Sequence, residues 1–415
     1  MTACSAGTDP VAPLYDAALR TVLAEVAAGP TEEASLAEAS GRVLRQAIIA
    51  DRELPPFNRA QMDGYALRGA ELRIDSPMPV VARIHAGMEW HDPVPAGACV
   101  AIATGAPVPA GLDTVIEHER SDRGNPVRFS SAVAAGASIH RRGSDARAGA
   151  TLVPAGAVLA PAHIALAATV GSETLCVGVR PRVSILTSGD EIRTAGTSES
   201  IALAAHLVRD SNGPMLDAMI RAFGAEVVAR RHLPDDQAET AGALAQAIAG
   251  SDVVVTTGGI SAGERDYLPR ALAAGGATFL VRRVRLQPGG PLTVARMPGG
   301  ALVLGLPGNP VSTLVCAHLF LWPLVLRLLG SAAALPWRDG LLGQPTRANP
   351  KRQAYRPARV ASDGTIVVPS WEGSGDLVHT AATQGIVELP LVEGDVAAGT
   401  RLRLLPWAGV QSGFA

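Results

Sequence analysis

The sequence is short of lysine and cysteine. Lys351 is the single lysine, so arginine carries nearly all of the positive charge. The four cysteines (Cys4, Cys99, Cys176 and Cys316) are widely spaced, and no two of them form a CxxC pair. This spacing argues against a structural zinc site and predicts a reduced, cytoplasmic compartment.

The chain also lacks an excess of charge of either sign. Its 36 basic and 38 acidic residues give a formal net charge of −2. Such a balance creates no general field that would attract nucleic acid or an anionic membrane surface. We therefore predict no nucleic-acid partner, and we expect any anion site to be local.

Long apolar runs are missing as well. Residues 1–12 contain no basic stretch leading into an apolar one, which argues against a secretory signal. The longest apolar run, Leu314 to Leu329, is interrupted by His318, Pro323 and Arg327 and falls short of the ~20 residues of a membrane span. We predict a buried helix there, and no membrane association.

With 415 residues, 47% of them hydrophobic, the chain can form about two to four domains with buried cores. Helical spacing of Ala, Leu and Val predicts helices from Leu14 to about Gly29, over 32–50 and over 162–170, and short runs such as 79–84 and 98–103 predict strands. The predicted domains are a helical linker domain (1–50 with 146–178), an inserted β-rich domain (51–145), an α/β domain (179–332) and a C-terminal β domain, a small barrel (333–415).

The α/β domain has the clearest pattern. Strand-like runs at 183–186, 226–228 and 253–256 alternate with helix-like stretches at 214–223 and 237–248. This alternation predicts a mostly parallel sheet. Ligands of such sheets bind at the loops after the carboxyl ends of the strands.

Three loops at those ends combine glycine with acidic or hydroxyl groups. In the loop 257–266, backbone N–H groups near the glycines can approach a phosphate, and the acid can bind a divalent cation; the candidate residues are Gly258, Gly259, Ser261, Gly263 and Asp266. Taken alone, such a loop is equally well explained as a tight turn.

The second loop is Pro307-Gly308-Asn309, directly before the apolar helix. Its helix N-terminus suits an anion, although an ordinary helix start has the same residues. In the third loop, Ser188-Gly189-Asp190-Glu191, the acids can converge with Asp210, Asn212 and Asp235 on one Mg²⁺ that bridges phosphate oxygens. Singly, each acid is better explained as a helix cap or a solvated turn residue.

Three further strings lie in the β-rich segment. They are Pro55-Pro56-Phe57-Asn58-Arg59-Ala60-Gln61-Met62-Asp63-Gly64-Tyr65-Ala66, Thr104-Gly105-Ala106-Pro107 and Arg141-Arg142-Gly143-Ser144-Asp145. The arginine pair can bind an anion or form a solvated face.

Together these strings resemble the molybdopterin molybdenumtransferases, known as MoeA in bacteria and as the E-domain of gephyrin in animals. The resemblance covers nearly the whole chain in the same order: "PPFxxxxMDGYA", "TGAPVP", "RRGSD", "SGDE", "DSN", "TTGGxSxGxxD", "PGxP" and "LPGNPVS". It implies a MogA-like molybdopterin-binding fold for the central domain.

The resemblance further implies insertion of molybdenum from molybdate into adenylylated molybdopterin with Mg²⁺, releasing AMP. It implies catalytic roles for Asp63, Thr104, Asp145, Glu191, Asp235, Asp266, Arg283 and Ser374, with Glu191, Asp235 and Asp266 as metal ligands. It also implies a homodimer whose cleft combines the α/β domain of one subunit with the β-rich domain of the other, and makes molybdopterin adenylyltransferase and molybdoenzymes candidate partners.

The departures from the family pattern fall on basic positions. Gln287 and Gly290 stand where family members usually carry lysine, Arg283 keeps the charge of another lysine, and His140 stands where an arginine is frequent. We expect Arg282, Arg285 or Arg296 to compensate from nearby, because guanidinium groups bind oxyanions well.

Two alternatives remain at this point. The lost lysines motivate the first alternative to the transferase, a non-catalytic molybdopterin-binding or scaffold paralogue with an altered anion site. A generic nucleotide-binding α/β enzyme has less support, because no GxxxxGK[ST] string is present.

Overall fold

The computed structural model describes residues 12–194, 196, 203–258, 267–332 and 334–409. The chain divides into two compact units. The first unit comprises Met1–Arg45, Ala155–Leu159 and Leu175–Ala415, and the second comprises Gln46–Pro154 and Ala160–Thr174.

The described α-helices, in chain order, are α1 (Tyr15–Ala24), α2 (Pro161–Thr169), α3 (Asn212–Ala222), α4 (Gln237–Gly250), α5 (Tyr267–Ala274), α6 (Pro310–Cys316), α7 (Trp322–Leu329) and α8 (Leu377–Ala381). The described strands are β1 (Thr31–Ser35), β2 (Ile48–Ile49), β3 (Arg59–Ala60), β4 (Gly64–Leu67), β5 (Val80–Ile84), β6 (Cys99–Ile102), β7 (Thr114–Glu117), β8 (Ile139–His140), β9 (Thr151–Val153), β10 (Thr174–Gly178), β11 (Arg182–Ser188), β12 (Ile192–Arg193), β13 (Val208–Arg209), β14 (Glu226–Leu233), β15 (Val253–Thr257), β16 (Thr278–Val281), β17 (Leu286–Gln287), β18 (Thr293–Arg296), β19 (Leu302–Leu306), β20 (Arg338–Leu341), β21 (Thr346–Arg347), β22 (Gln353–Val360), β23 (Ile366–Val367), β24 (Gly385–Leu389), β25 (Asp395–Val396) and β26 (Arg401–Pro406).

The central sheet of the first unit has the strand order β14-β11-β15-β19-β18-β16. The first four strands are parallel to their neighbours, whereas β18 and β16 are antiparallel. The prediction of an α/β domain is therefore confirmed, with a mixed sheet. The carboxyl ends of β11, β14, β15 and β19 all lie at one edge, as parallel pairing requires.

Both faces of this sheet are buried, which explains its near-continuous apolar strands. Along β15, Val253 and Val255 pack into a cluster with side chains of α3 and α6. Val254, between them, packs instead with side chains of α4 and α5. This alternation is the period of two expected for a strand between two helical layers.

The long apolar helix is the centre of the first unit. A π-helical turn, Ala317–Leu321, joins α6 to α7 in one helix, Pro310–Leu329. Its length and composition would allow a membrane span, yet 67% of its most apolar 18-residue window is buried inside the protein. The prediction of a buried helix is confirmed.

A second sheet of the first unit has the order β17-β22-β24-β26-β20, with β23 on β22. It carries its own apolar cluster, which includes Ala354, Val387 and Leu404. The strands expected near 365–369, 386–389 and 401–405 are confirmed as β23, β24 and β26. Barrel closure and the four domain boundaries stay predictions.

The second unit is β-rich. Its main sheet has the order β5-β6-β4-β7, beside the two-stranded pairs β3-β8 and β2-β9. Apolar clusters centred on Val100 and Phe129 hold it together. The strands expected over 79–84 and 98–103 are confirmed as β5 and β6.

The helix predicted over 32–50 is wrong. That segment contains strand β1, a turn and short bridges. Gly41 has a φ of +76°, and its N–H donates to Leu159 O while that of Leu44 donates to Ala157 O. These distant backbone partners override the local helical spacing, because sequence propensity is worth less than a residue's tertiary hydrogen bonds and burial. Helix α1 is real but ends at Ala24.

Candidate functional site

The loops after the parallel strands line a cavity of about 630 Å³, here called the strand-end cavity. Loops from β11, β15 and β19 and the start of α3 surround it. Eight residues predicted from the sequence line it, namely Ser188, Glu191, Asp210, Asn212, Gly258, Pro307, Gly308 and Asn309. The sequence reasoning missed others, such as Thr187, Arg209 and Leu377, because nothing in their local strings marks them.

Gly258 brings two of these loops into contact. A Cβ on Gly258 would lie 2.6 Å from Ser188 O and 2.7 Å from Ser188 Oγ, and its φ is +89°. A Cβ on Gly308 would lie 3.7 Å from Gly258 Cα. Only glycine meets both demands at 258, so the backbones of the β11, β15 and β19 loops can approach one another.

Asn212 joins the same loops through its side chain. Its Nδ2 donates to Gly308 O at 2.7 Å and to Thr257 Oγ1 at 3.4 Å. Its Oδ1 is buried and has no hydrogen-bond partner among the residues that the structure describes. A buried acceptor without a partner costs about 1–3 kcal/mol, so this oxygen is suited to an N–H or O–H group of a ligand.

Asp210 acts as a structural cap. Its Oδ1 accepts from Gly213 N at 2.9 Å, and its Oδ2 accepts from Thr187 Oγ1 at 3.4 Å. A Cβ on Gly213 would lie 2.5 Å from Asp210 Oδ2. The carboxylate therefore fixes the start of α3 and places Asn212 against the cavity.

Glu191, which is exposed, and Asp235, which is half-buried, supply acids at this edge. The Glu191 carboxylate folds over Gly189, whose φ is +145° and whose Cβ would lie 2.8 Å from Glu191 Oε2. Asp190 Oδ1 accepts from Asp235 N at 3.0 Å, so the ends of β11 and β14 are tied together. Asp235 lines a narrow pocket that shares Ser188 and Gly258 with the strand-end cavity.

The predicted metal set is only partly described. Asp266 lies outside the described residues, as do Gly259, Ser261 and Gly263. Within the parts of the chain that the structure describes, no group of three His, Cys, Asp or Glu side chains is arranged to hold a metal ion. Glu191 and Asp235 offer the hard oxygen donors that Mg²⁺ prefers, and Mg²⁺ usually needs only one or two protein carboxylates beside phosphate oxygens and water.

A second cavity of about 460 Å³, here called the arginine cavity, shares Pro291, Pro307 and Asn309 with the first. Segments far apart in the sequence line it: 287–291, Arg352, Arg356 and 371–374. Ser374, predicted from the resemblance, is positioned here by Asn309, whose Nδ2 donates to Ser374 Oγ at 2.9 Å. The two cavities therefore meet at Asn309.

Arg352 and Arg356 are the cations of this second cavity. Burial, and next the charge of Arg352, lower the pKa of Arg356 below its usual range. Arg356 also lies 5.1 Å from the ring centre of Trp371, and Glu372 is the one carboxylate among the described lining residues. Two guanidinium groups beside a single acid suit an oxyanion.

The arginines expected to compensate for the lost lysines make other contacts. The group of Arg282 lies 3.9 Å from the ring centre of Phe279. Arg285 Nε donates to Lys351 O, and Arg296 pairs with Glu25. None of these three arginines lines either cavity as described, whereas Arg352 and Arg356 line the cavity beside Gln287 and Gly290. The predicted catalytic Arg283 is exposed and does not line either cavity as described.

The second unit contains two of the predicted acids in separate hydrogen-bonded pairs. Asp63 Oδ1 accepts from Thr104 N at 2.6 Å and from Thr104 Oγ1 at 2.8 Å, and these bonds lower the pKa of Asp63. Asp145 Oδ1 accepts from His140 Nε2 at 2.6 Å, which lowers the pKa of Asp145. Both carboxylates are ionised and open to solvent.

Comparison with protein families gives two matches. Residues 14–171 match the MoeA N-terminal region (domain I and II), and residues 184–327 match a probable molybdopterin binding domain. The molybdopterin molybdenumtransferase of Synechococcus elongatus is 34% identical over 400 residues, covering 93% of this chain and 97% of that protein. Molybdopterin molybdenumtransferase 2 of Mycobacterium tuberculosis is 33% identical over 387 residues, covering 89% and 93%.

Among solved structures, a molybdopterin biosynthesis MoeA protein from Pyrococcus horikoshii matches with a TM-score of 0.76. The two are 27% identical, and the match covers 97% of this chain and 100% of that one. A second structure of such a protein from P. horikoshii gives a TM-score of 0.82 at 24% identity and supports the fold alone.

Proposed function

Because this chain belongs to the molybdopterin molybdenumtransferase family, we propose that its two cavities bind adenylylated molybdopterin and molybdate next to each other. The protein is a transferase that inserts molybdenum during molybdenum cofactor biosynthesis. The family membership favours this activity over a non-catalytic scaffold role. The residue assignments below are part of the proposal.

The strand-end cavity is the pterin site of this proposal. The observation that carries it is the buried Oδ1 of Asn212, which lies among the glycine loops and has no partner in the described parts of the chain. A pterin ring presents N–H donors of the kind this acceptor needs, and the loop backbones around Gly258 and Gly308 can approach a phosphate closely.

The arginine cavity is the proposed molybdate site. Arg352 and Arg356 supply positive charge where Gln287 and Gly290 replace the lysines of the family pattern. Gln287 Oε1 accepts from Asn349 Nδ2 at 2.7 Å, so this side chain is held by a neutral amide. Asn309 and Ser374 lie where the two cavities meet, which would bring the oxyanion beside the pterin.

Mg²⁺ is the proposed metal, held by Glu191 and Asp235 with Asp266 as a third ligand by resemblance. It would neutralise charge on the phosphate oxygens when bound. The described residues fit this role through their hard carboxylate oxygens at the ends of β11 and β14.

In the proposed reaction, a water oxygen bonds to the phosphorus of the molybdopterin phosphate, the P–O bond to the adenylyl group breaks, and AMP leaves while the molybdopterin phosphate is regenerated. Backbone N–H groups of the glycine loops and the arginines would stabilise the developing negative charge. A carboxylate at the strand ends would accept the proton from the attacking oxygen. Asn212 would orient the pterin through its free acceptor.

We further propose a homodimer in the cytoplasm, with molybdopterin adenylyltransferase and molybdoenzymes as partners. The family resemblance motivates each of these. The balanced charge of the sequence agrees with the absence of a nucleic-acid partner.

The deciding experiment is reconstitution of a molybdoenzyme with adenylylated molybdopterin, Mg²⁺ and micromolar molybdate, with AMP release followed in parallel. We expect AMP release to depend on molybdate. Arg356→Ala should raise the molybdate concentration for half-maximal rate by about 10-fold or more. Arg359→Ala, an exposed arginine on the same strand β22, is the matched control and should change little.

Pterin binding without AMP release by the unaltered chain would contradict the transferase and favour the scaffold role. Equal effects of Arg356→Ala and Arg359→Ala would contradict only the placement of molybdate.

A further inference from the structure

Strands β3 and β8 of the second unit place an arginine and a histidine opposite each other. Arg59 pairs with His140 in the antiparallel register of these strands. Arg59 NH2 lies 3.0 Å from His140 Nδ1, and His140 Nε2 lies 2.6 Å from Asp145 Oδ1. The imidazole is thus held between a cation and a carboxylate.

This arrangement fixes the tautomer of the ring. A guanidinium group can only donate hydrogen bonds, so His140 Nδ1 must accept. The proton of a neutral ring is then on Nε2, from which it is donated to Asp145. A ring protonated on both nitrogens would have no lone pair to accept from Arg59.

Among the described residues, side-chain hydrogen bonds to the Asp145 carboxylate reach one oxygen, Oδ1. Asp145 Oδ1 accepts from His140 Nε2 and from Ser144 Oγ at 3.1 Å. The Asp145 side chain is 54% exposed whereas that of His140 is 25% exposed. Oδ2 is therefore left for a ligand or a proton, at the surface and in one fixed orientation.

We propose that His140 is a positioning residue for Asp145, which it holds as a carboxylate through Nε2–H while Arg59 fixes the tautomer. This inference rests on the proposed function only where it assigns Asp145 to the reaction. The position departs from the family pattern, which frequently has arginine there.

The neighbouring charges do not replace this contact. The side chain of Arg142 pairs with Glu53, and the backbone N–H of Arg142 donates to Asn58 Oδ1. The guanidinium of Arg141 is close to Gly136, since a Cβ on that glycine would lie 2.8 Å from Arg141 NH2. Among the described residues, the hydrogen bonds to Asp145 Oδ1 therefore come from His140 and Ser144.

The first test reads the ring directly and needs no activity. In the full chain labelled with ¹⁵N on its imidazoles, the signal of His140 is assigned by its loss in His140→Gln. We expect an unprotonated Nδ1 and a protonated Nε2 near pH 7.5, and a mixture of tautomers in Arg59→Ala. A protonated Nδ1 in the unaltered chain would overturn the proposal.

The second test separates the two ends of the ring. Glutamine can place an N–H near the position of Nε2, whereas asparagine can place an oxygen near that of Nδ1. We expect His140→Gln to keep kcat within about 3-fold and His140→Asn to lower it by about 10-fold, with little change in KM for the pterin. A role limited to the β3-β8 pair would affect both variants equally.

An Asp145→Asn background completes the design. There, His140→Asn should cause no further loss, because its partner is already altered. A full additional loss would overturn the positioning role. Full activity of Asp145→Asn would refute the assignment of Asp145 and the kinetic part of the proposal, while an inactive unaltered chain would instead contradict the proposed function.

Discussion

The strand-end cavity and the arginine cavity share three residues, yet they are built differently. Backbone geometry makes the first, through glycines such as Gly258 and a cross-linking amide, Asn212. Side chains from distant segments make the second, with Arg352 and Arg356 as its cations.

The difference explains why the strand-end cavity retains the motifs of the family, whereas the arginine cavity has lost two of the family's lysines. A Cβ at position 258 would lie 2.6 Å from Ser188 O, so sterics require glycine at that position. Charge acts over several ångströms, so a guanidinium from another strand can serve an oxyanion when a lysine is lost. Gln287 and Gly290 are therefore compatible with an intact anion site.

The largest expected effect comes from adding one methyl group to the backbone-built cavity. Gly258→Ala forces a Cβ against Ser188 and a positive φ on alanine. We expect a loss of about 3 kcal/mol in stability, seen as a fall of several degrees in the melting temperature, and AMP release reduced by about 100-fold.

The matched control for that change is Gly242→Ala in helix α4. A Cβ there meets nothing within 4 Å, so helix propensity should stabilise the protein slightly. If Gly258→Ala behaved like this control, the claim that backbone contact builds the strand-end cavity would fail.

Acid should weaken the helix that begins at both cavities. Burial lowers the pKa of His318 from 6.5 to about 4, although its bond to Leu314 O opposes this. Between these two pKa values the unfolded chain binds a proton at His318 that the folded chain does not bind. The contribution of His318 to the free energy of unfolding is therefore fully present above about pH 6.5 and is lost as the pH falls toward 4.

Between pH 7 and pH 5 the free energy of unfolding should fall by about 2 kcal/mol, which is measurable as a lower urea midpoint. His318→Gln should reduce this acid dependence, although it lowers stability at neutral pH by disturbing the bond from Ala408 N to Nε2. The exposed His91 provides the control, since His91→Gln should leave the dependence unchanged. An identical acid response in both variants would rule out His318 as the source.

The smallest expected effect is a gain in the side-chain-built cavity. A Cβ on Gly290 would meet only Leu286 O and Val284 O, both at 3.5 Å, so a side chain fits there. Gly290→Lys should tighten molybdate binding by about 5-fold, because it adds a cation to the lining. Equilibrium binding of molybdate checks this, and no gain would show that Arg352 and Arg356 already satisfy the site.

A comparison of Gly289 with its neighbour Gly290 is the sharpest. Gly289 has a φ of +108°, and a Cβ there would lie 2.3 Å from Cys316 Sγ. Gly289→Ala should therefore lower the melting temperature whereas Gly290→Ala should not. Equal melting temperatures for the two alanine variants would contradict this difference in steric room.

Much of the first unit could be predicted from the sequence. The alternation of β11, α3, β14, α4 and β15 follows apolar periods that local physics reads directly. The failed helix over 32–50 shows the limit, since the partners of Gly41 and Leu44 lie more than 100 residues away. Strands β16 to β18 were missed because their runs are too short to show a period.

The site divides in the same way. Ser188, Gly258 and Gly308 could be named because parallel strands bring their carboxyl ends to one edge. The hydrogen bond from Asp235 N to Asp190, and the cations Arg352 and Arg356, could not be named. Their distances depend on how separate segments pack, which no local pattern encodes.

The sequence by itself determined the order of the motifs, the family and the loops that must carry glycine, because backbone conformation and steric fit are local demands. Tertiary structure alone decided which arginines line the arginine cavity and which contact other groups. Arg282, Arg285, Arg352 and Arg356 have the same chemistry, and only the packing of their segments determines whether each one meets a ring, a carbonyl or the cavity.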